Sequence, residues 1–405
     1  MLENWIPLQR YKLLRNTDDE LAATGEMPPP RFADWFALRR VRTGLVVGAL
    51  VLVVISLSHF VDLPPRGGLD ADTGAPSTPA RPPTDAAPAT GDAAVRWSDF
   101  AYVQYITNSN YLCNSLMILE ALKRSGTKAD RLMMYPEDWQ ISEAADASTE
   151  SKLLVQARDQ YDAKLVPIQV QTFSKGDATW KDSYTKLLAF NQTQYKRVMS
   201  LDSDATVRKH MDELFLMPSS PVAMPRAYWL DQPFLSSQLV LVEPSDVEWH
   251  RVQDFMNKPD SGFDMDILNT MYKDSCIIIP HKNYNLLSGE FRGDKHEKYL
   301  GSDKEAWDGK KVLDEAKFVH FSDWPVPKPW LKAGDSMMEK HQPRCVEGKN
   351  GGAEDCTDRD IWRGLYRDFS ERRQRICGRS YDKRHEARSS SASPAAPPKY
   401  EMVLP

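Results

Sequence analysis

Two kinds of pattern are missing from this 405-residue chain. No two of its five cysteines (Cys113, Cys276, Cys345, Cys356 and Cys377) form a C-x-x-C knuckle, and neither sign of charge dominates. The first absence argues against a structural zinc site. The second, 52 basic against 57 acidic residues for a formal charge of −5, argues against a nucleic-acid partner. The arginines from Arg359 to Arg388 alternate with Asp and Glu, so that segment reads as a solvated helix. A nucleophile-elbow serine is also lacking, which removes the Ser-His-Asp hydrolases.

One stretch lacks charge altogether. The nineteen residues from Thr43 to Val61 contain no Lys, Arg, Asp or Glu, about the length a helix needs to cross a bilayer. The run starts too far into the chain and has no small-residue cleavage site, so it reads as an uncleaved anchor rather than a signal peptide. Arg31, Arg39, Arg40 and Arg42 precede it, which places residues 1–42 in the cytosol and the rest in a lumen. Its shortness, with Gly44 and Gly48, suits an early secretory or Golgi membrane. Residues 62–95, rich in Pro, Ala, Asp and Thr, cannot bury enough surface to fold and form a stem. The Ser/Pro/Ala-rich tail, 380–405, is likewise expected to be disordered.

That leaves one folded unit, 96–379. An oxidising lumen permits disulfides: Cys345 and Cys356 are best placed to close a glycine-rich loop, at least one thiol is left over, and Cys113 and Cys276 read as buried thiols. The unit opens with a strand at Tyr102–Thr107 and a helix over Tyr111–Gly126. Next come a strand at Arg131–Tyr135, a helix over Ser151–Tyr161, a strand at Ala163–Val170, a helix over Tyr184–Gln194 and a strand ending at Asp202. Such alternation predicts an α/β, Rossmann-like, mostly parallel sheet. Ligands bind at the carboxyl ends of strands in such sheets, and both Thr107-Asn108 and Asp202-Ser203-Asp204 fall there.

Asp202 and Asp204, separated by one small residue after an apolar strand, can converge on one hard cation, Mg2+ or Mn2+, that keeps positions open for a diphosphate. Taken alone, the same pair also suits a solvated turn or a helix cap.

Ile106-Thr-Asn-Ser-Asn-Tyr111, Tyr184-Thr-Lys-Leu-Leu-Ala-Phe-Asn-Gln-Thr-Gln-Tyr195, Leu201-Asp-Ser-Asp204 and His320-Phe-Ser-Asp-Trp-Pro-Val-Pro-Lys-Pro-Trp330 together resemble glycosyltransferase family 8, the glycogenin-like enzymes. Lys186 stands sixteen residues before Asp202, as in the family's T-K-L motif. The likeness is greatest to fungal Golgi type II membrane proteins of the N-acetylglucosaminyltransferase type. It implies the GT-A nucleotide-sugar fold, with Asp202, Asp204 and His320 holding Mn2+ (or Mg2+) on a UDP-sugar. It further implies Lys328 at the diphosphate and Thr107, Asn108 and Tyr111 at the nucleoside. Lys186, Ser203, Ser236 and Ser237 join the donor site, and Lys186 and Asp264 carry catalytic roles in a retaining transfer.

The chain departs from the family in three places. His320 and Lys328 are eight positions apart, two more than usual, with Asp323 where glycine is common. Ser236, Ser237 and Gln238 replace the sugar-contact motif, and Met265 replaces a glutamine beside Asp264. The reading that follows is a Golgi type II enzyme moving a sugar, GlcNAc from UDP-GlcNAc, onto a mannose-bearing glycan or glycoprotein, with a homodimer as one possible assembly. UDP-glucose, UDP-galactose or UDP-glucuronic acid as donor, a catalytically decayed lumenal binding protein and a metal-dependent phosphohydrolase are the alternatives.

Overall fold

The computed structural model describes residues 95–171, 182–258, 261–347 and 353–378. All of them lie in the second of two units, Met1–Asp85 and Ala86–Pro405. The expected anchor at Thr43–Val61, the stem up to residue 94 and the 380–405 tail fall outside the described residues. Among the described residues no helix is long and apolar enough to cross a membrane.

Apolar, β-rich segments alternate with helices as the sequence predicts. Strands β1 (Phe100–Tyr105), β2 (Asp130–Pro136), β3 (Ala163–Ile168) and β4 (Arg197–Leu201) pair in parallel in the order β3-β2-β1-β4. Helices α1 (Ser109–Arg124) and α2 (Thr149–Tyr161) follow β1 and β2. Asn108 caps α1 by accepting from the Asn110 N–H at 3.0 Å, and Ser148 caps α2 through the Ser151 N–H at 3.1 Å.

Beyond β4 one strand reverses direction. After β5 (Ala205–Val207) come β6 (Val222–Pro225), β7 (Leu239–Val242) and β8 (Ile277–Ile279), and the seven-stranded order is β3-β2-β1-β4-β7-β6-β8. The β7 strand runs antiparallel to both β4 and β6, while β6 and β8 pair in parallel, so the sheet is mostly parallel, as expected, with one reversed strand. Helices α3 (Asp246–Met256) and α4 (Asp264–Tyr272) lie between β7 and β8 in the chain.

The chain leaves β4 at Leu201 and immediately enters a second sheet, ordered β5-β10-β9, with β9 at Leu286–Leu287 and β10 at Phe318–His320. Asp202-Ser203-Asp204 is therefore the crossing from one sheet to the other. In the antiparallel β5–β10 pair Ala205 faces His320.

The helix expected over Tyr184–Gln194 is instead a 3-10 segment, Ser183–Asn191, and every residue from Tyr184 to Phe190 is buried. The tighter 3-10 coil is otherwise used in short pieces. Here a stretch apolar on nearly all sides is enclosed by packing, and only Lys186 among those seven brings a charge inside.

The Arg-rich C-terminal helix, α5 (Thr357–Cys377), is not a solvated helix. Trp362, Leu365, Phe369 and Ile376 form a helical stripe sunk into the core. Arg372 and Arg373 are buried too. Arg372 donates to Thr206 Oγ1 at 2.8 Å and to the Met117 carbonyl at 2.9 Å, while Arg373 donates to Asn114 Oδ1. These carbonyl and side-chain acceptors pair guanidinium donors that burial would otherwise strand, although Arg372 Nε is buried without a partner.

Cys113 is not a thiol: it is bonded to Cys377, joining α1 to the end of α5 across 264 positions. Cys345 pairs with Cys356 as the spacing suggests, and Cys276 remains free. Closing so long a loop restricts the unfolded chain. Replacing Cys113 and Cys377 together by serine is expected to cost about 2–4 kcal/mol of stability. A lower urea midpoint for the double variant would show this, and an unchanged midpoint would contradict it.

Candidate active site

The crossing between sheets gathers most of the predicted residues. Asp202, Asp204 and His320 present ligand atoms all within 4.8 Å of one another. His320 Nε2 lies 3.0 Å from Asp204 Oδ1, and Lys328 Nζ lies 3.1 Å from Asp204 Oδ2. Lys328 also donates to the Phe321 carbonyl, which folds the 321–328 loop back on its own start. The cause of this convergence is register: β10 ends at His320 opposite Ala205, next to Asp204, and the Phe321 N–H donates to the Asp204 carbonyl at 3.0 Å.

A second cluster sits behind the first. Lys186 Nζ lies 2.7 Å from Asp202 Oδ1 and 2.8 Å from Asp264 Oδ2, and donates to the Ser237 carbonyl at 3.0 Å. An ammonium has three donors, and this one is fully committed. Burial works to neutralise Lys186, but Asp202 and Asp264 overcome it and hold its pKa above the ordinary lysine value. Lys186 is thus a fixed cation, unsuited to accept a proton at neutral pH.

The two aspartates are electrostatically unlike. Burial raises the Asp202 pKa despite Lys186. Burial acts on Asp204 in the same sense, yet His320 and Lys328 outweigh it and hold the carboxyl well below the usual range.

Three carboxylates (Asp202, Asp204 and Asp264) thus face two ammonium groups (Lys186 and Lys328), leaving an excess of one negative charge before His320 is counted. Two carboxylates and an imidazole suit a hard or borderline divalent ion such as Mg2+ or Mn2+, whose charge would turn that excess into a site for an anion. The residues present therefore fit the cation that the sequence implies. His320 Nδ1, buried and without a hydrogen-bond partner, leaves Nε2 as the nitrogen that faces Asp204.

The remaining candidates divide. Ser203 is buried inside the crossing. Tyr111 meets Trp330 edge-on with centroids 5.7 Å apart, and burial followed by the charges of Asp204 and Asp202 raises its pKa. Thr107 and Asn108 stand at the end of β1, but Asn108 Oδ1 already accepts the capping bond from the Asn110 N–H. Ser237 lines the Lys186 site through its backbone. Ser236 is wholly buried, turned toward Asn285 and the Gln238 N–H, and is not brought to the cluster.

Asp264 opens α4, and Asp266 accepts from the Phe263 N–H at 3.0 Å, so the extra carboxylate is a helix cap. Gly262 precedes it at φ +76°, where a Cβ would fall 2.6 Å from Asp266. Only glycine permits that approach.

Tyr105 was not among the residues predicted for the site. Its hydroxyl donates to Asp202 Oδ1 at 2.8 Å. Val103 is in register with Ser200, so two residues further Tyr105 comes level with Asp202 at the same strand ends. Its place at the carboxyl end of β1 was the available signal.

Lys186 gives the sharpest stability test. Lys186→Met leaves Asp202 and Asp264 buried without their shared cation, a loss expected to cost about 3–5 kcal/mol. Urea denaturation measures it, and a loss below about 1 kcal/mol would mean that the triad is not desolvated as described.

No protein-family profile matches the chain. Individual relatives do. The chain is 52% identical over 290 residues to glucose N-acetyltransferase 1 of Gibberella zeae, covering 70% of this chain and 63% of that protein, so it spans less than two thirds of that relative's length. It is 44% identical to the protein of the same name from Aspergillus fumigatus, over 70% of this chain and 78% of that one. The Saccharomyces cerevisiae protein of that name is 25% identical over 70% and 82%. Solved structures with a distant likeness include the bifunctional glycosyltransferase WbbM (TM-score 0.41, 12% identity, 57% of this chain and 46% of that one). Another is the glycosyltransferase GlyE of Streptococcus pneumoniae TIGR4 (TM-score 0.41, 12% identity, 69% and 63%).

Proposed function

The chain belongs to the glucose N-acetyltransferase 1 family of transferases, and on that premise we propose that it is a retaining, Mn2+-dependent glycosyltransferase of the GT-A, family 8 type. Its donor is UDP-GlcNAc and its acceptor a mannose-bearing glycan. One observation carries this reading: Asp202, Asp204, His320 and Lys328 converge where two sheets meet, an arrangement suited to a metal-bound diphosphate.

The name of these relatives also suggests a second chemistry, acetyl transfer to glucose. Glucose has no amino group to receive the acetyl, so the name makes chemical sense for a reaction whose product carries N-acetylglucosamine.

A bound divalent ion would supply neutralisation of the negative charge that develops on the diphosphate as the glycosidic bond breaks. The side chains do the rest. Lys328 adds a fixed positive charge on the same side as His320. Lys186 holds Asp202 and Asp264 in place, so that Asp264 can face the developing positive charge of the sugar ring. The acceptor hydroxyl attacks from the face that the diphosphate leaves, and its proton passes to the departing phosphate. Retention then needs no protein nucleophile. Tyr111 and Trp330 form an aromatic wall for the uracil.

We read the uncharged run at Thr43–Val61 as a type II anchor, with the reaction in the Golgi lumen. Pocket changes at Ser236–Gln238 and Met265 are where a different donor sugar would be accommodated.

UDP release from UDP-GlcNAc, UDP-glucose, UDP-galactose and UDP-glucuronic acid, each with Mn2+ and a mannoside, decides among these. The expected outcome is release with UDP-GlcNAc, abolished by EDTA and lowered about 100-fold or more in Asp204→Ala. Acetylation of glucosamine by acetyl-CoA with no UDP release would sink the proposal. UDP binding without turnover of any donor would favour a binding protein.

A further inference from the structure

Asp323 is a buried carboxylate that the reaction above does not use. Its side chain is wholly buried, and its nearest cation, Arg292 Nη1, stands 3.8 Å from Oδ1. A carboxylate taken out of water at such a cost persists only where donors compensate it. Here they come from two separate elements. Trp362 Nε1 and the Tyr366 hydroxyl, both on α5, donate at 2.8 Å and 2.9 Å, and Ser288 Oγ, directly after β9, donates to the same oxygen as Tyr366. Ser288 Oγ in turn accepts the Ser322 N–H at 3.1 Å, and Arg292 Nη1 donates to the Asp323 carbonyl at 2.8 Å.

This network begins where the small sheet ends. β9 and β10 pair in parallel as far as Leu287 and His320, and Ser288 and Asp323 continue the attachment past that point. The chain then turns, with the Val326 N–H donating to the Asp323 carbonyl at 2.8 Å, and returns so that Lys328 reaches Phe321 and Asp204. The eight-position span from His320 to Lys328 is longer than two contacts on one aspartate need, and the Asp323 side chain is its attachment to α5.

We infer that Asp323 is the positioning residue of the catalytic loop: through Ser288, Trp362 and Tyr366 it fixes the geometry in which His320 and Lys328 both meet Asp204. The C-terminal helix α5 is thereby part of the active-site architecture. The inference rests on the proposed function for what the loop binds, and on contacts within the chain for how it is held.

The test uses Asp323→Asn, which keeps the size but turns one acceptor into a donor facing donors, together with Trp362→Phe and Tyr366→Phe, which each remove one donor and keep the ring. Two readouts are made on the whole lumenal chain: calorimetric binding of Mn2+ in the presence of UDP, and backbone hydrogen exchange of the 320–330 segment without ligand. Asp323→Asn is expected to weaken Mn2+ binding about tenfold and to speed exchange in that segment alone. Each phenylalanine variant should move both readouts in the same direction by less, with cooperative unfolding retained. Unchanged exchange and unchanged Mn2+ binding in a folded Asp323→Asn protein would overturn the inference. If that variant does not fold, unchanged values in both phenylalanine variants would overturn it equally. A wild-type chain that binds neither Mn2+ nor UDP would remove the proposed function, while faster exchange in the variants would still support the loop-holding role.

Discussion

The antiparallel pairing of β5 with β10 is the constraint on which the rest depends. It joins residues more than a hundred positions apart and sets Ala205 against His320. A slip of one residue would turn His320 to the other face of the small sheet and take its imidazole away from Asp204. The sheet-to-sheet crossing at Asp202-Ser203-Asp204 thereby acquires an imidazole on one side and, through the returning loop, the Lys328 ammonium on the same aspartate.

Around that pairing the protein places charge in a low-dielectric setting and compensates it residue by residue. Lys186 stands between Asp202 and Asp264, Arg372 on Thr206 and the Met117 carbonyl, and Asp323 among donors from α5 and from the end of β9. Each is a buried charge held by partners, and each is costly to disrupt because removing one partner strands the other. The disulfide from Cys113 to Cys377 serves the same end mechanically, since it fastens the helix that bears Tyr111 to the helix that holds Asp323.

What the sequence revealed follows from how locally each feature is encoded. The β1 to β4 strands and the two helices between them announce themselves through apolar periodicity and caps. The D-x-D pair is local, but it became a site only through likeness to a family, because nothing in the spacing alone brings His320 to it. Tyr105, Asp323 and the Cys113–Cys377 bond stayed hidden because they are products of long-range register. The Arg-rich helix differs for a related reason: its charge pattern is local, while its burial is set by the stripe of Trp362, Leu365, Phe369 and Ile376 packing into the core. Seven consecutive buried residues from Tyr184 to Phe190 carry no amphipathic signal that would separate a 3-10 coil from an α-helix.

The central claim is that one divalent ion is held where the two sheets meet. Crystals of the unit Ala86–Pro405 grown with Mn2+ and UDP, measured at the manganese absorption edge, address it directly. The account predicts a single anomalous peak within coordinating distance of Asp202, Asp204 and His320, lost in Asp204→Ala. No peak there, or a peak bound by other side chains while UDP occupies the site, would contradict it.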